Sequence, residues 1–367
     1  MRTQMDSTTL NLNELIVEAR RQTAVCNSCR YCEGYCSVFP ALHRQREMSD
    51  GDITQLANLC HNCRGCYYAC QYAEPHEFAI NVPKALAEVR SESWQQFAFP
   101  SFMGSLFQRS GLAIASLVVA GIVLILLIAK ILTPDSSQAG FYAVISHNVM
   151  VALFIPAFLF PLFSVAISLR RYWQQTGGGS ISIQDIRHAF GSAARMKNLD
   201  GGHGDGCNFE DEDRFTQGRR KIHHAVMYGF LLCFASTASA TVLHYVFNQP
   251  APYGLISLPK LFGISGGLLL AFGTFGMMAI KKNADPELSD KRMRSGEFAF
   301  ILLLFLVSVS GLLLYVLGGT GLVGGLLYIH LGFVLAFFLL MPYSKMVHGF
   351  YRLTALVKEE QQKRLTS

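Results

Sequence analysis

A chain of 367 residues that is 51% hydrophobic is too apolar to be two or three soluble domains, and the long apolar runs after residue 100 assign most of it to a bilayer. Its net charge of +6 needs no nucleic acid to explain it, because Lys and Arg collect in the connections between apolar segments. Nucleic-acid binding is therefore excluded as a function class.

The first hundred residues differ from the rest. They hold eight of the ten cysteines and no apolar stretch with the flanks of a secretory signal; Arg20-Arg21 is not followed by the apolar region of a twin-arginine signal. The thiols are thus expected in a reducing cytoplasm, where clustered cysteines bind metal more often than they form disulfides. NELIVEAR at 13–20 reads as a helix leading into CNSCRYCEGYC at 26–36. That run has the spacing C-x2-C-x2-C-x3-C, and CHNCRGCYYAC at 60–70 repeats it.

Three thiolates at this spacing wrap one iron–sulfur cube, and in two-cluster ferredoxins the fourth cysteine of each run crosses to the other cluster. Crossing groups Cys26, Cys29 and Cys32 with Cys70, and Cys60, Cys63 and Cys66 with Cys36. Ser37 and Gln71 stand where small bacterial ferredoxins have proline. The alternative is a pair of four-cysteine zinc sites, but zinc ribbons present separate C-x2-C knuckles rather than two complete iron–sulfur runs. Residues 77–98 follow with apolar residues at helical spacing. The expected unit is a mainly helical ferredoxin-like domain, 1–100, with two 4Fe-4S clusters.

Residues 101–367 contain six segments able to span: 110–132, 141–169, 222–247, 258–280, 298–317 and 323–347. The second carries Pro156 and Pro161, and the fourth carries Gly263, Gly266, Gly267, Gly273 and Gly276, suited to close helix packing. Nine Lys or Arg lie in 170–221, five in 281–297 and four after residue 347, whereas the short loops at 248–260 and 318–322 hold only Lys260. This alternation predicts a multi-pass protein of the bacterial inner membrane with both termini and the cysteine domain in the cytoplasm. The loop 170–221, with GGGS at 177–180, GGHGDGC at 201–207 and EDED at 210–213, reads as a solvated connector or a docking surface. Cys207 and Cys233 lack cysteine neighbours at ligand spacing and receive no role.

Histidines cluster near the span ends. By the orientation above, His223, His224 and His348 lie toward the cytoplasm, and His147, His244 and His330 toward the other side. His223 and His244 fall within about 60° of one helix face, and His330 and His348, 18 residues apart, point the same way on an ideal helix. Paired helices of this kind can clamp haem near each surface. The expected ligands are His223 with His348 and His244 with His330, with His224 and His147 as alternates, for one or two b-type haems.

The two cysteine runs, the paired histidines and the GDGCNFEDED loop together resemble the citrate or tricarballylate utilisation protein B family over essentially the whole chain. The membrane half is similar, more remotely, to the haem-bearing gamma subunits of respiratory nitrate reductases. The resemblance implies an electron-transfer role, in which an FAD-dependent partner dehydrogenates tricarballylate and this chain reoxidises its flavin, passing electrons to membrane quinone. No G-x-G-x-x-G follows a strand pattern, so the residues offer no dinucleotide site of their own. The competing readings are the electron-transfer anchor of another respiratory dehydrogenase or reductase, and a membrane iron–sulfur redox sensor, which would need no paired membrane histidines.

Overall fold

The computed structural model describes residues 11–45, 47–132, 144–202, 204–209 and 214–366. The acidic run 210–213 and the first three residues of the second expected span, 141–143, lie outside the described residues. The described chain is mainly helical, and its one β-bridge pairs Cys207 with Thr216.

The cysteine head contains α1 (Leu12–Cys29), α2 (Val38–His43), α3 (Asp50–Leu59), α4 (Gly65–Tyr68) and α5 (Val82–Phe97). Helix α1 starts where Asn11 accepts from the Glu14 amide and Glu14 accepts in return from the Asn11 amide, a reciprocal cap. It buries Leu15, Ile16 and Ala19 against Ile53, Leu56 and Leu86. The segment expected to be helical from 77 becomes α5 only at Val82. Asn81 caps the Lys84 amide at 3.2 Å, and Pro83 is accommodated in the first turn, where its missing N–H is not needed.

Six further helices are long and apolar enough to cross a membrane: the Ser110–Ile128 part of α6 (Ser101–Leu132), α7 (His147–Gln175), α9 (Gly218–Tyr245), α10 (Leu258–Asn283), the span Lys291–Val316 containing α11 (Arg294–Val316), and α12 (Val323–Leu340). Among the described residues two further α-helices are α8 (Ile183–Ala194) and α13 (Val347–Thr366), neither of which has the length and apolar content to span. The sixth expected span, 323–347, is a correction: α12 stops at Leu340 and α13 starts afresh at Val347. Pro342 lies in the break, where it cannot donate to the preceding turn. His330 and His348 therefore sit on different helices, and the argument from one continuous helix does not apply to them.

Helix α10 uses its glycines as expected. A Cβ on Gly266 would lie 2.8 Å from the Cys233 amide nitrogen, and one on Gly273 would lie 2.7 Å from that of Val226. The α9 and α10 backbones thus approach within a distance that only glycine permits, replacing side-chain volume with backbone contact.

The three basic connections meet the cysteine head on one face. Asn62 Nδ2 donates to Leu288 O at 3.0 Å, and Arg64 donates to Asp285 O at 2.8 Å, both acceptors lying between α10 and α11. Helix α13 packs on α3, α7 and α8. Tyr351 of α13 stacks on Trp94 at 5.6 Å, and Gln55 Nε2 donates to Ala355 O at 2.8 Å. Below this seam Glu297 receives ion pairs from both Lys281 and Lys345. Head and bundle consequently share a core instead of being joined by a linker.

Gly273→Leu should force α9 away from α10 and cost about 1–3 kcal/mol through overpacking, seen as a lower thermal transition in detergent. Gly121→Ala, where a Cβ meets nothing within 4 Å, should leave the transition unchanged.

Candidate cofactor site

The first cysteine run begins on a helix and ends off it. Cys26 and Cys29 occupy the last turn of α1, one turn apart on the same side, and Arg30 then takes φ 58°, turning the chain so that Cys32 and Cys36 follow in a loop. The second run starts at Cys60, which ends α3, and passes through Asn62 at φ 51° and Arg64 at φ 71° before α4. Left-handed conformations at non-glycine residues cost about 1–3 kcal/mol each. Their own side chains hold them: Asn62 Nδ2 donates to Pro83 O and Leu288 O, and Arg64 donates to Asn62 Oδ1, Phe209 O and Asp285 O.

These turns bring the thiols together in two groups. Cys26, Cys29, Cys32, Cys66 and Cys70 line a cavity of about 260 Å³ beside Tyr31 and Tyr72. Cys36, Cys60, Cys63 and Cys66 line a second, smaller cavity with His61, Asn62 and Arg64. Each run thus contributes its fourth cysteine to the space framed by the first three of the other, and Cys66 borders both. The first cavity is far larger than one ion bound at about 2.3 Å by four sulfurs would require, so its donor set suits a multi-iron cluster. Burial, followed by the neighbouring thiols, pushes Cys26 and Cys32 up to about 12. Burial first, then nearby thiols, also raises Cys36 and Cys66 well above the usual range. A metal cluster held by these cysteines would displace their protons, as thiolate ligation of metal generally does.

The histidines separate into distinct arrangements. His223 of α9 and His348 of α13 face each other with ring centroids 5.8 Å apart and planes at 66°. His348 Nδ1 bonds to Lys345 O; a carbonyl only accepts, so Nδ1 carries the proton and Nε2 keeps its lone pair. Two imidazoles holding one metal through nitrogens about 2 Å from it would have ring centroids up to about 6 Å apart, so His223 and His348 are close enough to hold one group together. Burial, then Arg352, lowers His348 well below the ordinary imidazole range, favouring the neutral ligand form.

On the opposite side His147 and His244 stack face to face at 4.5 Å with planes at 19°, an arrangement in which the two lone pairs do not meet at one point between the rings. His147 Nε2 also bonds Tyr245 Oη at 2.8 Å. His330 Nδ1 lies 2.9 Å from Ser310 Oγ. Ser310 donates to Leu306 O at 2.6 Å, so its oxygen accepts from His330 and leaves Nε2 of that ring as the lone-pair nitrogen. His224 stacks on Tyr228 instead of joining His348.

Two arginines connect the inner histidines to the second cysteine run. Arg219 is one turn before His223 on α9; it donates to Asn62 O at 2.8 Å and to His61 O at 3.0 Å. Arg352 is one turn after His348 on α13 and donates to Cys60 O at 3.0 Å. Arg90 adds a bond to Cys60 O at 2.8 Å. Burial, then Arg90 and Arg219, lowers Arg352 to about 9, still well above neutrality. The carbonyls of Cys60, His61 and Asn62 are therefore ringed by three guanidinium groups.

Sequence reasoning missed the part played by the loop. Gly201, Gly202 and Gly206 adopt φ of 78°, 78° and 110°, and the backbones of Gly34 and Tyr35 crowd the position a Gly202 side chain would take. The loop thereby lies on the head, Asn208 donating its amide to Cys63 O at 3.0 Å and Phe209 stacking under Arg64 and Arg219 at 4.3 and 4.1 Å. An open groove of about 1360 Å³ lies beside it, walled by Tyr35, Cys36, Arg187, Lys197, Gly202 and Lys363.

The family profile described as "Citrate utilization protein B" matches residues 106–367, and that of the "Citrate utilization protein B Fer4-like domain" matches residues 19–96. The chain belongs to the citrate utilization protein B family. A member from Escherichia coli, named "Citrate utilization protein B", is 42% identical over 358 residues, covering 96% of this chain and 94% of the relative. No solved structure matches. The Fer4-like region of this family member contains both cysteine runs, and the bundle profile contains all six histidines described above.

Crossed ligation makes a specific claim. Cys70→Ala should abolish the same cluster as Cys26→Ala, and Cys36→Ala the same cluster as Cys60→Ala, each lowering iron from about eight to about four per chain. Iron analysis with EPR of the reduced protein checks this; uncrossed ligation would exchange the effects of Cys36 and Cys70.

Proposed function

We propose that this chain is a membrane electron-transfer protein that reoxidises the reduced flavin of a partner tricarballylate dehydrogenase and delivers the electrons to the quinone pool of the bacterial inner membrane. When bound, two 4Fe-4S clusters and b-type haem supply the one-electron chemistry. Cys26, Cys29, Cys32 and Cys70 hold the first cluster, and Cys36, Cys60, Cys63 and Cys66 the second. His223 and His348 hold haem at the cytoplasmic side, and His244 with His330 is the corresponding outer pair, with His147 and His224 as alternates.

The observation that carries the reading is the double attachment of the second cysteine run to the inner histidine pair. Arg219 and Arg352, each one turn from its histidine, grip the backbone between Cys60 and Asn62. A redox sensor would not require its sulfur ligands to be bolted to a pair of neutral histidines on two different helices. An electron carrier does, because transfer between centres depends on a short and fixed separation. Positive guanidinium groups around the second run also offset the negative charge that four thiolates bring to the cluster.

The shared face of the basic connections supports the orientation in this reading. With 170–221, 281–297 and the C-terminal helix in the cytoplasm, the head meets a soluble donor while α6 to α12 offer the lipid-side exit to quinone. The partner carries out the substrate chemistry. The groove beside Cys36, bordered by Arg187, Lys197 and Lys363 together with Glu33, Asp200, Glu359 and Glu360, is the docking position for it in this reading.

Membranes containing this chain, mixed anaerobically with the flavoprotein and tricarballylate, should show substrate-dependent reduction of haem in difference spectra. His348→Ala should lose the inner haem and this signal while keeping the iron–sulfur EPR spectrum. Retention of full haem in that variant would overturn the inner site.

A further inference from the structure

Helix α8 carries its apolar residues on the outside. Ile183, Ile186 and Phe190 fall within about 60° of one side of the helix and are 83%, 41% and 55% exposed. The other sides are taken: Asp185 and Ala189 are buried where α8 packs on α13, and Arg187, His188 and Gly191 line the groove under the head. An amphipathic helix whose apolar stripe faces away from its own protein needs a cover.

The surroundings of α8 say what covers it. His147 and His244 stack at the end of the bundle away from the head, and from that pair α7 runs to Gln175 and α9 back to Gly218, about 40 Å in each case. The hydrocarbon layer is about 30 Å thick, so both helix ends stand at the headgroup layer on the side of the cysteine head. Helix α8 is slung between those two ends. Its entry is held where Gln361 donates to Ser180 O at 2.6 Å and Arg364 to Asp185 at 3.0 Å. Its exit is held by α9, Tyr228 donating to Ala194 O at 3.0 Å and Arg220 to Arg195 O at 2.8 Å. Tyr228 is 44% exposed and heads the exposed stripe of α9 that continues through Leu231 and Phe234, a place where tyrosine marks the membrane boundary. Charge agrees: Arg195, Lys197 and Lys221 are exposed around this exit, while the nearby acids Asp185, Asp200 and Glu360 face Arg364, Arg220 and Lys363.

We propose that α8 is a membrane-surface helix lying in the plane of the bilayer on the side of the head, with Ile183, Ile186 and Phe190 inserted among the acyl chains and Arg195 and Lys197 set against anionic lipid phosphates. Helices of this kind sink their apolar face about 5–10 Å into the boundary between headgroups and chains, and basic residues beside the stripe add attraction to anionic lipid. This role requires a bundle that spans and is independent of any cofactor. Lipid thereby braces one wall of the groove, leaving the polar side of α8 free for a soluble partner.

The test uses full-length Phe190→Trp in vesicles of phosphatidylcholine and phosphatidylglycerol whose acyl chains are brominated at a chosen depth, with the wild type supplying the background of Trp94 and Trp173. The added fluorescence should be lost to bromines near the glycerol end of the chains, less so to bromines near the terminal methyl, and should resist aqueous iodide. Ile183→Trp should behave alike, so the outcome does not hang on one variant. Leaving out phosphatidylglycerol should weaken the loss in both; equal loss with and without it would overturn the contact with anionic phosphates. Quenching by iodide but not by bromine would overturn the insertion, and shielding from iodide by added flavoprotein would then give the stripe to a protein partner. A chain that fails to float with the vesicles would sink the spanning reading and this role together, whereas one that floats with its added tryptophan unquenched by bromine sinks this role alone.

Discussion

The structure depends on the grip of Arg219 and Arg352 on the carbonyls of Cys60, His61 and Asn62. Carbonyl oxygens in a loop built from left-handed residues have no helical partners, and buried ones left unpaired would each cost about 1–3 kcal/mol. Guanidinium groups satisfy them and bring positive charge to a place where thiolates concentrate negative charge. Because the two arginines come from α9 and α13, the same bonds that stabilise the cysteine loop also fix the spacing of His223 and His348. One set of contacts serves the head and the bundle at once.

That arrangement explains why the junction is rich in ionisable groups. Burying Arg90, Arg219 and Arg352 near one another is unfavourable without anions, and the nearby carboxylate of Glu297 is already engaged by Lys281 and Lys345. In the reading proposed above, thiolates bound to iron would supply the missing counter-charge, since four cysteine ligands leave a 4Fe-4S unit anionic. The side-chain chemistry at the seam is thus matched to a loaded head.

The sequence was informative where spacing itself carries the physics. Two complete C-x2-C-x2-C-x3-C runs specify a wrapping geometry, and apolar length specifies spans, so the gathering of the cysteines, six helices long and apolar enough to cross a membrane, and close packing at the α10 glycines were legible, while the identity of α9 as their partner was not. His223 and His348 were legible as neighbours, whereas His330 and His348 do not share one helix: α12 stops at Leu340 just before Pro342, and His348 belongs to α13. The start of α5 was misplaced by five residues because Asn81 and Pro83 outweigh the apolar periodicity before them. Cys207 and the two arginines were not legible, since nothing local marks a residue that meets Cys60 or Cys63 from more than a hundred positions away. The glycines at 201–206 fit a connector or a docking surface in the sequence; only the positive φ values and the backbones of Gly34 and Tyr35 beside Gly202 show that Gly202 packs against the head.

The placement of Arg352 also constrains how the protein can be made. The cysteine loop leaves the ribosome among the first seventy residues, yet its clasp arrives from α9 and finally from α13, after every spanning segment has been synthesised. Until then the carbonyls around Cys60 lack their last donor, and the inner face of the head is open to solvent. The cysteine loop therefore receives its last donor only when the C-terminal helix docks, and any cofactor held there as proposed would have to be inserted with that docking step still open.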